Sequence, residues 1–339
     1  MRRYFFLFLF FCLFFGFSNS HSQFSEQFCG EISGTGLHKT ININESLASY
    51  VPTTGTFRIL VVLCKFSDDN FDLSPYTDVW PHTLNSMPSW GTSLLSPTVQ
   101  PSYSNPSVSG YFKTMSSGLY NVIGDVVFYQ PQHEQSYYYI SSGRHIGYLV
   151  EEILTAINPT VNYANYDNNN DGTVDMIQIC FRFADNANLD GSSYQGIAGL
   201  TGFRQTFGSG TTLTLDGKTI SAALLGSGTF CNGVTDLNGG LPVMVHEFGH
   251  YLFGAIHYAG VGLHGLMDGS GTGIMSSFER SKLNWFSPTL ISTNLTNEPI
   301  TDALTTNDVY KIQMIDGSYF LIDNHQRQNF YESTWTQYN

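Results

Sequence analysis

Gly239-Gly240-Leu241-Pro242-Val243-Met244-Val245-His246-Glu247-Phe248-Gly249-His250-Tyr251-Leu252-Phe253-Gly254 holds the densest chemistry of this 339-residue chain. Pro242 suits the first turn of a helix and Gly254 suits its end, so the spacing predicts a helix over Pro242–Phe253. Leu241, Val243, Met244, Val245, Phe248, Leu252 and Phe253 make that helix apolar nearly all round, as a buried helix is. His246 and His250 lie four residues apart, hence on one face and one turn apart. Both imidazoles can reach one Zn2+ at about 2.0–2.1 Å. Glu247 stands beside such an ion rather than on it. There it can take a proton from a polarised water and pass it to a leaving amine. Two histidines and a glutamate in so apolar a helix would be costly without partners.

A catalytic zinc site needs a third protein ligand and an open fourth position. Gly254 lets the chain leave the helix sharply, and His257 comes three residues later. His257 is the favoured third ligand; His264 and Asp268 are the rivals. The Tyr258 phenol is a candidate donor to a developing oxyanion, with packing as the plainer role. Leu266-Met267-Asp268-Gly269 puts a methionine in a turn that can floor the site. Met275 is the runner-up, and ordinary core packing is the alternative for both.

Around this helix the pattern reads as α/β, of the α+β kind. The run Ile59–Phe66 is continuously apolar and reads as a buried central strand, with Val122–Tyr129 and Met176–Phe183 as further strands. Apolar residues at 146, 149, 150, 153, 154 and 157 predict a backing helix over Arg144–Ile157, stopped by Asn158-Pro159. Ser107–Leu119 is a second helix candidate. Residues 67–107, rich in Ser, Pro, Thr and Trp, read as a long surface excursion. Residues 184–240 are Gly-, Ser- and Thr-rich with short strands at Thr211–Leu215 and Ile220–Leu225. Residues 255–279 form a Gly-rich lower segment. Val309–Ile315 and Tyr319–Asn324 flank Asp316-Gly317, a hairpin signal.

Composition bounds the possibilities. Charged residues are 12% of the chain, about half the ~25% of an average domain. The net charge of −13 argues against nucleic acid and against an anionic bilayer. Met1-Arg2-Arg3, then the apolar run Tyr4–Phe17 and Ser18-Asn19-Ser20, reads as a signal peptide over 1–20, and so as export. Its removal takes the net charge to −15 and leaves Cys29, Cys64, Cys180 and Cys231. Four cysteines allow three full pairings, and sequence does not choose among them. Free buried thiols at Cys64 and Cys180 fit equally well. Residues 21–56 read as a leader, 57–290 as the main domain, and 291–339 as a hairpin extension. Thr336-Gln337-Tyr338-Asn339 follows the hairpin abruptly, as in a truncated chain. Cys29-Gly30 in the leader is a candidate latency thiol, against a disulfide or free thiol. Asn44 and Asn294 have glycan-acceptor spacing.

Asp167, Asn169, Asp171, Gly172 and Asp175 copy positions 1, 3, 5, 6 and 9 of a calcium loop, with the Thr173 carbonyl at position 7. Gln178 stands at position 12 in place of a bidentate Glu, so structural Ca2+ is expected to be held by fewer charges. An Asx-rich turn without an ion is the alternative.

The HExxH helix, the following glycine, a third ligand and a downstream Met-turn resemble the metzincin branch of the zincins. More of the chain resembles the immune inhibitor A family of secreted bacterial zinc metalloproteases. Ser107-Val108-Ser109-Gly110-Tyr111-Phe112 through Ser116-Ser117-Gly118, then Gly124-Asp125-Val126, is similar to one of its segments. So are Asp171-Gly172-Thr173-Val174-Asp175, Phe278-Glu279-Arg280 with Leu283-Asn284-Trp285, and Tyr319-Phe320-Leu321-Ile322-Asp323-Asn324. The likeness spans about residues 57–330. The metzincin glycine usually falls three residues after the second histidine, whereas Gly254 falls four after His250. The immune inhibitor A family typically has Gly-x-x-Asp, where this chain has Gly254-Ala255-Ile256-His257. The resemblance implies a secreted endopeptidase acting on protein or peptide through a zinc-promoted water. A mixed twisted sheet, a backing helix and an active-site helix would sit above the Gly-rich lower part. The rival readings are a catalytically silent zinc- and calcium-binding adhesion module, and a zinc hydrolase acting on something other than protein.

Overall fold

Strand β1 (Gly55–Cys64) is apolar along its length because both its faces are covered. Phe57, Ile59, Val61 and Leu63 face one core, and Leu60, Val62 and Cys64 face a second core on the other side. The computed structural model describes residues 52–72, 80–96, 107–258, 265–268 and 273–335. The expectations placed on residues 1–20, Cys29, Asn44 and His264 lie outside these. No helix among the described residues is long and apolar enough to cross a membrane.

The architecture is mixed α/β, compatible with α+β. β1 pairs in parallel with β2 (Tyr120–Tyr129) and with β3 (Ile177–Phe181). Beyond β3 come β4 (Gly196–Ile197) and β7 (Gly228–Cys231), in the sheet order β2-β1-β3-β7-β4. β7 is parallel to β3, while β4 is antiparallel and forms the edge. The short strands β5 (Thr212–Leu215) and β6 (Lys218–Ser221) form a separate hairpin.

Helices cover both faces. α1 (Val108–Met115) is capped by Ser107, whose side chain accepts from the Gly110 N–H. α2 (Ile146–Ile157) buries Ile146, Leu149, Val150, Ile153, Leu154 and Ile157 against the second core. The one-turn α3 (Asn186–Leu189) precedes β4, and α4 (Leu237–Phe253) carries the two histidines of the HExxH motif on the first face. The Phe248 ring packs on Phe57, Phe112 and Tyr120, with centroids 5.7, 4.5 and 6.3 Å away, which fixes α4 to β1, α1 and β2.

Two expectations need correction. α4 begins at Leu237, more than a turn before Pro242. Asp236 supplies the start: its carboxylate accepts the Gly239 N–H at 2.9 Å and its carbonyl accepts the Gly240 N–H at 3.0 Å. Pro242 therefore sits inside the helix. The described parts of the supposed surface excursion, residues 67–72 and 80–96, are in turn anchored in the core. Trp80, Trp90, Leu94 and Leu95 are buried in it. The fully buried Arg182 holds this segment by both oxygens of Asp69 (2.8 and 2.9 Å) and by the carbonyls of Trp80 (2.5 Å) and Phe71 (2.8 Å).

Cys64, Cys180 and Cys231 are free buried thiols. Burial pushes the Cys64 and Cys231 thiols up, so they stay protonated. Cys180 and Cys231 are register partners on β3 and β7.

The C-terminal part is tied to the main body. α5 (Ser277–Lys282) leads to β8 (Thr289–Leu290), the one-turn α6 (Ala303–Thr306), β9 (Tyr310–Gln313), β10 (Tyr319–Ile322) and α7 (Phe330–Trp335). β9 and β10 form the expected hairpin, and β8 adds in parallel to β9. β1 itself starts inside the span read as leader, and Trp285 Nε1–H donates to the Thr53 carbonyl at 2.6 Å. The buried Arg280 joins α1 to α6 through the Met115 carbonyl (2.7 Å) and the Ala303 carbonyl (3.0 Å). Tyr331 of α7 lies in the main core and donates to the Ser107 carbonyl at 3.0 Å.

His325 clasps this end, with Nε2 at 3.3 Å from Asp323 and Nδ1 at 2.6 Å from the buried Glu332. Hydrogen bonds to Asp323 and Glu332 raise its pKa to about 9, against the opposing effect of burial. A raised histidine pKa stabilises the fold fully below the unfolded-state value of about 6.5 and loses that contribution as pH rises through the folded value. The wild-type melting temperature is therefore expected to fall between pH 6.5 and 9 by more than that of His325→Gln. Parallel pH profiles of the two, measured by calorimetry, would remove the clasp.

Candidate metal centre

The last turns of α4 and the short segment after it build the site. Gly254 has φ +82° and its N–H donates to the His250 carbonyl at 2.7 Å, so the chain turns sharply out of the helix there. That turn swings His257 back over His246 and His250. The three ring centroids form a near-equilateral triangle of 5.1, 5.3 and 5.0 Å. His246 Nε2 and His257 Nε2 are 3.3 Å apart. Two nitrogens sharing a tetrahedral ion at about 2.05 Å would stand roughly 3.3–3.4 Å apart, so the spacing fits.

The rings are oriented from behind. His246 Nδ1 lies 2.6 Å from the Leu266 carbonyl, and His250 Nδ1 lies 3.1 Å from the Gly254 carbonyl. Each carbonyl accepts only, so each Nδ1 carries the proton and each Nε2 keeps its lone pair. Burial, with the neighbouring histidines, lowers the His246 pKa far below its ordinary value. Burial also lowers His250, to about 4. Both rings are thus neutral at pH 7, the state a metal requires. Among the described residues these three histidines are the group of metal-ligating side chains that converges: their ligand atoms lie within 4.8 Å of one another, and the group can hold a metal ion.

Glu247 is fully buried on the same helix and lies against β4. A Cβ placed on Gly196 would stand 2.3 Å from Glu247 Oε1 and 2.6 Å from its Cγ, so a side chain there would push Glu247 out of its place. Met267 and Met275 are both fully buried. Met267 lies under α4, where a Cβ on Gly249 would come within 2.5 Å of its Sδ. Asp268 is outside the converging group. The Tyr258 ring packs edge-on to Phe253 and Phe278, at 5.7 and 5.2 Å. Burial, and then the charge of Glu279, push its pKa up to about 12.

The aspartate-rich loop is closed on itself. Asp167 accepts the Asp171 and Gly172 N–H groups at 3.1 and 3.0 Å, and Asp171 accepts from Thr173 N–H at 2.8 Å. The Asn168 N–H donates to Asp175 at 2.5 Å. Asn169 Oδ1 accepts the Asp171 N–H at 3.0 Å, in an Asx turn. The Lys218 ammonium sits 2.7 Å from Asp167. Burial alone would raise the Asp167 pKa, but Lys218 and the two backbone donors hold it below the usual value. The Lys218 ammonium takes up one oxygen of Asp167, and among the described residues these carboxylates do not form a second converging group.

Sequence reasoning missed two supporting residues. Gly196 offers no local signal, since what constrains it is Glu247 on a distant helix. Glu279 is written in the sequence as Ser276-x-x-Glu279, the capping box that opens α5. Its carboxylate also accepts the Leu266 and Met267 N–H groups, at 3.0 and 2.7 Å. Burial pushes its pKa up, and its hydrogen-bond donors oppose that shift. No family model matches the chain, and no curated protein matches it significantly.

Proposed function

We propose that this chain is an exported, zinc-dependent endopeptidase of the metzincin-like kind, hydrolysing peptide bonds in a protein or peptide substrate. One observation carries the reading: three histidine side chains converge, with Nδ1 of His246 and His250 donating to backbone carbonyls and Nε2 left unprotonated, beside a buried glutamate on the same helix. Neutral imidazoles with oriented rings suit Zn2+, and three protein ligands leave a fourth position open, as a catalytic rather than a purely structural site requires. Bound there, zinc would supply Lewis-acid activation of water and of the scissile carbonyl.

The chain's own residues do the rest. His246, His250 and His257 hold the ion. The Glu247 carboxylate removes a proton from the attacking water and returns it to the departing amine nitrogen. β4 and Gly196 keep that carboxylate in place. Tyr258, one residue after His257, is the candidate donor to the oxyanion. Structural Ca2+ in the loop of Asp167, Asn169, Asp171, Thr173 and Asp175 is the second part of this reading, with the Lys218 ammonium as its competitor for Asp167. The signal-like residues 1–20 support export.

Metal removal tests the proposal. Casein cleavage by the purified chain is expected to vanish after dialysis against a zinc chelator and to return on adding about one equivalent of Zn2+. Zinc bound at the histidines with intact casein would sink the peptidase reading and favour the silent binding module.

A further inference from the structure

The peptide unit joining Leu266 to Met267 is gripped at both ends. Its carbonyl accepts from His246 Nδ1–H at 2.6 Å. Its N–H, on Met267, donates to Glu279 Oε1 at 2.7 Å. Glu279 Oε2 accepts three more donors: the Leu266 N–H (3.0 Å), the Ser276 N–H (2.7 Å) and the Ser276 hydroxyl (3.0 Å). The hydroxyl is itself committed as this donor, since its oxygen accepts the Glu279 N–H at 3.2 Å. Every group around the carboxyl is a donor, so the site is built for the ionised form. Glu279 has no exposed surface, and His246 is buried. Gly249 lets the turn come this close, since a Cβ there would stand 3.0 Å from Leu266 Cδ2.

A metal-ligating histidine normally gives its second N–H to a carboxylate or a backbone carbonyl, which fixes the ring and raises its basicity. Here the two arrangements are in series. We propose that Glu279 is a positioning residue for His246, acting through the Leu266–Met267 peptide to fix the imidazole and make its Nε2 a stronger metal donor. A charged acceptor on the N–H polarises the amide and puts more negative charge on its carbonyl oxygen. That strengthens the bond from Nδ1–H and holds the tautomer whose Nε2 is bare. Low local polarity lets the effect pass with little screening. The inference rests on the metal-centre reading above and adds a carboxylate that touches neither metal nor substrate.

The test is zinc affinity, measured by competition with a chromophoric chelator in the full chain. In Glu279→Gln the amide oxygen takes the three-donor side and the NH2 group meets the Met267 N–H, donor against donor. Zinc binding is expected to weaken by about 10–100-fold. Ser276→Ala loosens the same cap without touching the Met267 N–H, and its zinc affinity is expected to stay within about twofold of wild type. Equal affinity in Glu279→Gln and wild type, or equal weakening in both variants, would overturn the relay. Should Glu279→Gln not fold, the wild-type protein still decides. On saturation with Zn2+ the Met267 amide resonance is expected to shift, while that of Ser276, on the same carboxylate but off the relay, stays put. An unmoved Met267 amide would overturn the proposal. A wild-type chain that binds no zinc would overturn the metal centre and the relay together. Tight zinc with no peptide cleavage would remove only the peptidase reading.

Discussion

Glu247→Gln is expected to lower the peptidase rate by about 10²–10⁴-fold while leaving one zinc per chain in place. That range is what a positioned general acid–base group contributes. Glutamine has nearly the same shape, so it should fit the same slot against Gly196. What it cannot do is accept a proton from water. On the proposed reading zinc is held by His246, His250 and His257 rather than by Glu247, so the metal content should not move, and parallel metal analysis separates lost chemistry from a lost site. Glu247→Ala should fall at least as far, and it also leaves a void beside β4. A Glu247→Gln protein that retains a tenth or more of the wild-type rate, at full zinc occupancy, would remove Glu247 from the proton-transfer role. The main domain would keep its fold in either case, because Phe248 and its aromatic neighbours anchor α4 independently of position 247.

The parts of this site that were legible in sequence are the local ones. His246 and His250 are placed by helix periodicity, and His257 by a glycine that must turn the chain at once. β1 was legible for a related reason: a strand covered on both faces cannot alternate, so it reads as one apolar run. The parts that were not legible depend on partners far along the chain. Pro242 looked like a helix start because prolines favour that position, yet Asp236 caps an earlier turn and the helix runs through the proline. Trp80 and Trp90 sit among Ser, Pro and Thr, a loop-like composition, and are buried because Arg182 pulls their segment in. β8 is two residues long and carries no periodicity. Ser276-x-x-Glu279 carries a capping signal that the sequence reading did not use. The hold of Glu279 on the Leu266–Met267 peptide needs a turn folded against it by Gly249 and Met267.

Asp69→Ala is expected to cost about 3–5 kcal/mol of stability, because it breaks a buried pair in which both carboxylate oxygens meet the Arg182 guanidinium. Both side chains are wholly buried. The three guanidinium nitrogens are committed to Asp69, Trp80 and Phe71, so no water can take the place of the carboxylate without opening the segment. The effect is not confined to a loop. Trp80, Trp90 and Leu94 belong to the same core as Met244, Phe248 and Met267, the apolar wall that holds α4 and the turn beneath it. Loosening that wall should therefore also raise the rate of zinc loss. The double variant Asp69→Ala/Arg182→Met separates the two contributions to the pair. Removing both charges should recover most of the loss, since breaking one half of a buried pair costs more than replacing the whole pair by apolar groups. Urea unfolding, followed by tryptophan fluorescence, measures all three proteins. A cost below about 1 kcal/mol for Asp69→Ala would mean that the pair behaves as an exposed one, and that residues 80–96 are held by their tryptophans alone.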